Sequence, residues 1–262
     1  NDLYQLQQAI TSKELTRNQL QTVKQTLQTG NDTPNGQTTP ISSTPTVQSF
    51  DSFVNNAFYF GNDSPKKGNL NYEAEFSTYT SQANIALYQK KSPSTSAATT
   101  SFFEAVVKPN KTKMDELIKA LIKAFNEAES GNITITFNAS CSAPATITYN
   151  KELAERRVES AIQYISTNSE LKKYVENNAK KQLLFIREKV LGEEATVKQY
   201  DSSGKELSNR PVNCSDTGSG VKGGDTVGST EIYTTNAMAC RRAFIVGIKN
   251  NLLPPKTDPQ PG

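Results

Sequence analysis

Tyr149-Asn150-Lys151-Glu152-Leu153-Ala154-Glu155-Arg156-Arg157-Val158-Glu159-Ser160-Ala161-Ile162-Gln163-Tyr164-Ile165 is the stretch on which the fold turns. Its apolar residues Leu153, Ala154, Val158, Ala161, Ile162 and Ile165 share one helical face. Asn150 is a favoured N-cap type, so the helix is expected to begin there. Upstream, Ile133-Thr134-Ile135-Thr136-Phe137 follows Gly131 and alternates apolar with polar residues, the pattern of a half-buried strand. Downstream, Leu183–Val190 is a further strand candidate. The three together predict a β-α-β unit.

Working outward, residues 112–129 carry Met114, Leu117, Ile118, Leu121, Ile122 and Phe125 at i, i+3, i+4, i+7, i+8 and i+11, a single apolar stripe. Thr112 and Asp115 resemble a capping box at its start. Asn56–Gly61, with Ala57, Phe58, Tyr59 and Phe60, predicts a short aromatic strand. Tyr72, Phe76, Tyr79, Ile85 and Tyr88 hint at a helix within residues 66–109, and Ser92–Thr100 is read as a low-complexity loop. Residues 170–180 look helical and polar, residues 201–229 look like a long loop, and Ala243–Ile248 predicts a last, buried strand. Strands alternating with helices favour an α+β fold, a mixed sheet covered on one face by helices.

The two ends differ in character. Leu3, Leu6, Ile10, Leu20, Val23 and Leu27 space a helix over residues 3–28, ended by Gly30, with Lys13 and Arg17 interrupting any coiled-coil seam. Asn31–Ser49 is Thr/Pro/Ser/Asn/Gly-rich, and Pro254–Gly262 holds Pro254, Pro255, Pro259 and Pro261. Both are linker compositions that bury too little apolar surface to order alone, so neighbouring subunits are expected to hold them. The expected organisation is an N-terminal docking or coiled-coil helix (1–30), a linker (31–52), a globular domain (53–250) with insertions at 66–111 and 195–236, and a Pro-rich tail (251–262).

The 262 residues include 29 Lys+Arg and 26 Asp+Glu, a net charge of +3. That balance is too weak to argue for nucleic acid. The absence of His removes the Ser-His-Asp and Cys-His nucleophile systems and most zinc sites, so neither an enzyme nor a metal or cofactor is expected. No apolar run of about 18 residues suggests a transmembrane helix. Asn1 is not preceded by Met or followed by a leader pattern, so either a leader has been removed or upstream chain is missing.

The helix at Asn150 resembles that of the OmpA-like C-terminal family, Asn-x-x-Leu-Ser-x-x-Arg-Ala-x-x-Val-x-x-x-Leu. Asn150, Leu153 and Arg157 match directly, while Ala154, Val158, Ala161 and Ile165 are small or apolar substitutes. Phe58-Tyr59-Phe60 stands at the family's first strand, Gly192-Glu193 follows the third, and Arg241-Arg242 precedes the last. The resemblance covers residues 53–249. It implies a β-α-β-α-β(-β) mixed sheet, a periplasmic location at the outer membrane, and binding of the peptidoglycan stem peptide through diaminopimelate. It also leaves open a lipid anchor ahead of Asn1. In the family, an Asp before the helix takes the ligand's ammonium and the helix Arg takes its carboxylate, a two-pronged contact. The Arg is Arg157. The Asp position is Ser142, which brings no charge. Ser140, Ser142, Asn150, Arg157 and Arg241 are therefore the candidate peptidoglycan-binding residues. Two outcomes stay open: an anchor to peptidoglycan, or a degenerate domain acting as a scaffold that docks envelope subunits through residues 1–49 and 251–262. The plainer reading makes Arg156 and Arg157 part of a solvated helix face and Arg241 an ordinary polar start to a strand.

Three cysteines permit one disulfide and leave one thiol, or are three unrelated thiols. Cys214 and Cys240 flank the enlarged loop and could clip it, whereas the family fold makes Cys141–Cys240 a rival. Gly218–Gly223 meets the spacing of a dinucleotide fingerprint but neither leaves a strand nor opens a helix. Glu193-Glu194 lacks a facing carboxylate for acid–base work. The Asn-x-Ser/Thr sequons at Asn62, Asn110, Asn132, Asn138 and Asn213 reflect composition, several lying on expected strands.

Overall fold

The computed structural model describes residues 49–143, 145–176, 180–200, 206–217 and 230–255. The expected helix at 3–28, most of the 31–52 linker, Gly218–Gly223 and residues 256–262 lie outside them. The described chain is α+β. A four-stranded mixed sheet is built from β1 (Ala57–Tyr59), β2 (Gly131–Ser140), β3 (Lys181–Gly192) and β6 (Arg242–Asn250), in the order β1-β6-β2-β3. β6 runs antiparallel to both β1 and β2, and β2 runs parallel to β3. A two-stranded antiparallel hairpin, β4 (Thr196–Tyr200) and β5 (Glu206–Asn213), stands apart from it. The helices are α1 (Tyr72–Tyr79), α2 (Gln82–Lys91), α3 (Ser96–Phe102), α4 (Lys108–Glu127), α5 (Ile147–Ser166), α6 (Lys172–Val175) and α7 (Thr235–Cys240).

The main core follows from alternation and periodicity. Ile133, Ile135, Phe137 and Ala139 of β2 point to one side and are buried, while Thr134, Thr136 and Asn138 between them are only half-buried. Leu153, Ala154, Val158, Ala161 and Ile165 of α5 and Met114, Leu117, Leu121 and Phe125 of α4 close over that side. The core reaches past both expected boundaries. Phe50 and Phe53 join it ahead of β1, and Leu252 joins it from the tail, where Ser130 bridges Leu253.

Local rules move several boundaries. α5 starts at Ile147, because the Thr146 side chain caps it by accepting from the Tyr149 amide at 3.2 Å; Asn150 lies inside the helix. Thr112 caps nothing, for α4 begins at Lys108 and a π-helical turn at Phe103–Val107 joins it to α3. Thr112 Oγ1 bonds back to the Lys108 carbonyl at 3.3 Å. Ser92–Thr100, expected as a loop, turns at Pro93–Thr95 and then forms α3, whose Ala98, Thr99 and Phe102 are buried. Residues 66–109 hold two helices before α3, each capped by a side chain, Asn71 for α1 and Ser81 for α2. Only Lys172–Val175 of the expected 170–180 helix is helical among the described residues. The long loop expected at 201–229 contains β5.

Residues from the end of α1 up to α4, the hairpin and α7 build a second core. Tyr79, Ile85, Tyr88, Phe102, Phe103, Val106 and Val107 pack with Val197 and Val212 of the hairpin and Met238 and Ala239 of α7. β1 lies between the two cores: Phe58 and Phe60 enter the first, Ala57 and Tyr59 the second. Since successive strand side chains point to opposite faces, the second core covers the opposite face of the sheet at its β1 end. Helices on one face alone do not describe this arrangement. Cys214 and Cys240 form a disulfide with Cα atoms 5.7 Å apart, tying the end of β5 to α7.

Lys111 links α4 to its neighbours. Its ammonium donates to both Asp115 oxygens at 3.0 Å and to the Tyr164 hydroxyl at 2.8 Å, and lies 3.3 Å from Glu73. It also sits 4.9 Å from the Tyr164 ring centroid and 5.7 Å from that of Phe76. Burial opposes its charge, yet the bonds to Tyr164 and Asp115 raise its pKa above the usual lysine range. Burial and the bond to Asp115 push the Tyr164 phenol up to about 12.

Two predictions follow from these ties. An unfolded tyrosine loses its proton near pH ~10, so between that pH and about 12 the unfolded chain releases a proton that folded Tyr164 keeps. Lys111 acts in the same direction, its contribution being complete below the unfolded lysine pKa and lost above it. Urea midpoints should fall as pH rises from ~10 to ~12, and the fall should be shallower in Tyr164→Phe. For the disulfide, peptide mapping without reductant should join the Cys214 and Cys240 peptides. Closing a loop of 26 residues makes Cys214→Ala/Cys240→Ala less stable by about 3 kcal/mol.

Candidate functional site

The C-terminal end of β2, the first three turns of α5, the Gly61–Asn69 segment and Gly192-Glu193 meet at one end of the sheet. Arg157 is at the centre and is fully buried, 0% exposed. Its Nε donates to the Ser64 carbonyl at 2.9 Å, and Nη1 donates to the Ser140 carbonyl at 2.8 Å and to Cys141 Sγ at 2.9 Å. Nη2 reaches the Gly61 carbonyl at 3.4 Å, and the Phe60 ring centroid lies 5.6 Å from the guanidinium carbon. None of these partners is a carboxylate. Burial pushes the Arg157 pKa down, as does the charge of Arg241, while Cys141 acts the other way. An arginine remains charged under such shifts, and here the dipoles of three carbonyls from two backbone segments stand in for a counter-ion. The solvated face expected of Arg157 is therefore absent; the residue is in the core.

Around Arg157, Ser140 and Asn150 have structural partners and Ser142 is buried. Ser140 Oγ donates to the Cys240 carbonyl at 2.7 Å, so its hydroxyl faces protein. Ser142 is buried, beside Ala143, whose amide donates to the Thr217 carbonyl at 3.0 Å. Asn150 is buried and gives its amide to Glu193 Oε2 at 2.6 Å. Gly192 seats this contact: its φ is +57°, and an added Cβ would lie 3.2 Å from Lys151 Cγ. Glu194, by contrast, is exposed and 3.7 Å from Lys151. Cys141, the free cysteine, is buried; its thiol donates to the Asn150 carbonyl at 3.2 Å. Burial raises the Cys141 pKa despite the nearby Arg157 charge, so the sulfur is held as a thiol.

Ser140, Ser142, Asn150 and Arg157 thus converge. Arg241 does not join them. It is 1% exposed and turned into the second core, where Nε donates to the Ala237 carbonyl at 3.0 Å, Nη1 to the Tyr88 hydroxyl at 3.1 Å, and Nη2 to the Ile232 carbonyl. It closes the C-terminal end of α7 rather than opening a strand in solvent. The disulfide engages Cys240, which leaves Cys141 unpaired and the Cys141–Cys240 alternative unfilled.

Sequence reasoning missed the ring of polar residues above Arg157. Asp63 accepts from the Tyr149 hydroxyl and from Lys66, and Arg156 Nε donates to the Pro65 carbonyl at 3.1 Å. Burial opposes the Asp63 charge, but the bonds from Lys66 and Tyr149 and the charges of Lys66 and Arg156 hold its carboxyl below the usual range. Through these contacts Gly61–Lys66 lies across the guanidinium as a cover. The segment carries a positive φ at Asp63, +52°, and a cis Ser64–Pro65 bond, and no motif in the sequence announces it.

The geometry makes a mutational prediction. Arg157→Met leaves the Ser64, Ser140 and Gly61 carbonyls without donors and should cost about 3 kcal/mol or more in urea unfolding. Arg156→Met, on the half-exposed neighbour, should cost less than about 1 kcal/mol. Equal losses would show that the carbonyl cluster is not what fixes this end of the sheet. Compared with known protein families, curated proteins and solved structures, the chain matches none of them.

Proposed function

We propose that the chain is a non-enzymatic OmpA-like domain of the bacterial cell envelope, periplasmic and associated with the outer membrane, that serves as a scaffold between protein subunits. The sheet order β1-β6-β2-β3 with a parallel β2-α5-β3 unit supports the family reading, together with the sequence marks at Asn150, Arg157, Gly192-Glu193 and Arg241-Arg242. The observation that carries the scaffold reading is the state of Arg157. A stem-peptide carboxylate needs donors that face a cleft, and here Nε and Nη1 are committed to Ser64, Ser140 and Cys141 beneath the Gly61–Lys66 segment. The position that would supply an ammonium partner holds buried Ser142. Residues 1–49 and 251–262 are the proposed docking segments for the neighbouring subunits.

A second reading, anchoring to peptidoglycan, is favoured by the convergence of Ser140, Ser142, Asn150 and Arg157 at one point. It requires the Gly61–Lys66 segment to lift and free the guanidinium. One experiment separates the two. In a pull-down with purified sacculi, the scaffold reading expects the full chain to stay in the supernatant, with deletion of residues 1–49 dispersing the native complex. Retention that is lost in a folded Arg157→Lys variant would instead establish the anchor.

A further inference from the structure

Away from Arg157, a groove of about 370 Å³ opens between the start of α1 and the C-terminal half of α5, within the range of small-ligand sites, roughly 300–1,000 Å³. Tyr72 and Ile118, both buried, lie at its floor; Asn71, Glu73, Gln163 and Asn168 are among the polar residues of its wall. We propose that this groove binds a neutral saccharide, with the wall carboxamides bonding its hydroxyls.

The wall's unused hydrogen-bonding capacity sets the ligand class. Asn71 Oδ1 accepts from the Ala74 amide at 3.1 Å, and Asn168 Oδ1 accepts from the Glu170 amide at 3.1 Å and the Leu171 amide at 3.4 Å. Each Nδ2 is left without a partner among the described residues. The Gln163 carboxamide makes no hydrogen bond among the described residues, so it offers both a donor and an acceptor. Thr167 Oγ1 spends its proton on the Gln163 carbonyl at 2.7 Å and retains acceptor capacity. Glu73 approaches Lys111 through Oε2 at 3.3 Å and leaves Oε1 as an acceptor. A ligand matching this wall must donate and accept at neighbouring atoms, which is what vicinal hydroxyls do.

Charge narrows the class further. Lys111 is shared between Glu73 and Asp115, so the three groups together are net negative, and an anionic ligand would meet Glu73 at the rim. The ring on which a cation would stack, Tyr164, already carries the Lys111 ammonium at 4.9 Å. Neutral hydroxyls satisfy every open group without leaving one buried and unmatched. The groove lies apart from Arg157, so this site is independent of whether peptidoglycan peptide binds there.

The test is a titration of the ¹⁵N-labelled full chain by NMR with cellobiose and N,N′-diacetylchitobiose as neutral probes, and glucuronate and glucosamine as charged ones. Saturable shifts of the backbone amides of residues 70–74 and 163–168 with a neutral disaccharide are expected. In Gln163→Ala, whose side chain is exposed and bonded to nothing the fold needs, the dissociation constant should rise by about tenfold, the equivalent of 1.4 kcal/mol. Absence of shifts with both neutral probes overturns the proposal. So do shifts unaltered in Gln163→Ala, and binding of glucuronate or glucosamine as tight as that of the neutral sugars.

Discussion

The guanidinium of Arg157, held by backbone carbonyls rather than by a carboxylate, is the constraint on which this end of the molecule depends. Gly61 and Ser64 belong to the segment leaving β1, Ser140 ends β2, and Arg157 itself belongs to α5. One planar group therefore fixes the relative positions of an edge strand, a central strand and the crossover helix. Lysine could not replace it, because a single ammonium lacks the fork that reaches both segments at once from α5. A buried charge without an ionic partner is expensive unless its hydrogen bonds are made, and here the four contacts to oxygen and sulfur meet that cost.

β1 stands where the two cores meet. It has three residues, all buried. A strand this short pairs with β6 through Ala57, Phe58 and Tyr59, and Asn55 and Asn56 add backbone bonds to Ile245. Its stability comes from what lies on either side: Phe58 sits 4.8 Å from the Tyr72 ring in an edge-on contact, and Tyr59 5.6 Å from Phe102 in another. The residues on the two faces thus answer to different parts of the sequence, Tyr72, Phe137 and Tyr164 on one side and the α2–α3 segment with the disulfide-tied hairpin on the other. Arg241 repeats the Arg157 device in this second core, binding carbonyls and a phenol in place of an acid.

Much of this was legible in the residues. The stripe of Met114 to Phe125, the alternation of Ile133 to Phe137 and the face of Leu153 to Ile165 announced α4, β2 and α5, because each repeats a local period over many residues. The ends were less legible. Thr146 outcompetes Asn150 as a cap although both are good cap types, and Pro109, a usual sign of a helix start, is preceded by a π-helical turn that continues the chain. Ser92–Thr100 read as a loop because its small polar residues have weak helix preference, yet burial of Ala98, Thr99 and Phe102 against the second core overrides it. The candidate site was legible as a set of neighbours and illegible as an environment. The family resemblance grouped Ser142, Asn150 and Arg157, but burial depends on Gly61–Lys66 folding across them, and no periodic signal marks such a segment.

The neutral residue at position 142 and the buried state of Arg157 are two parts of one electrostatic problem. An arginine facing a charged partner across an open cleft keeps its hydration and its long-range attraction to a carboxylate. With no acidic residue beside it, the same guanidinium gains most by turning toward concentrated carbonyl dipoles, and a covering segment that excludes water strengthens those bonds by lowering the local dielectric. The Asp63 carboxylate is committed to Lys66 and Tyr149 on the outer side of the cover. There it holds the segment down instead of neutralising Arg157. The uncharged residue at position 142 and the acid at position 63 therefore work together to keep Arg157 a structural residue.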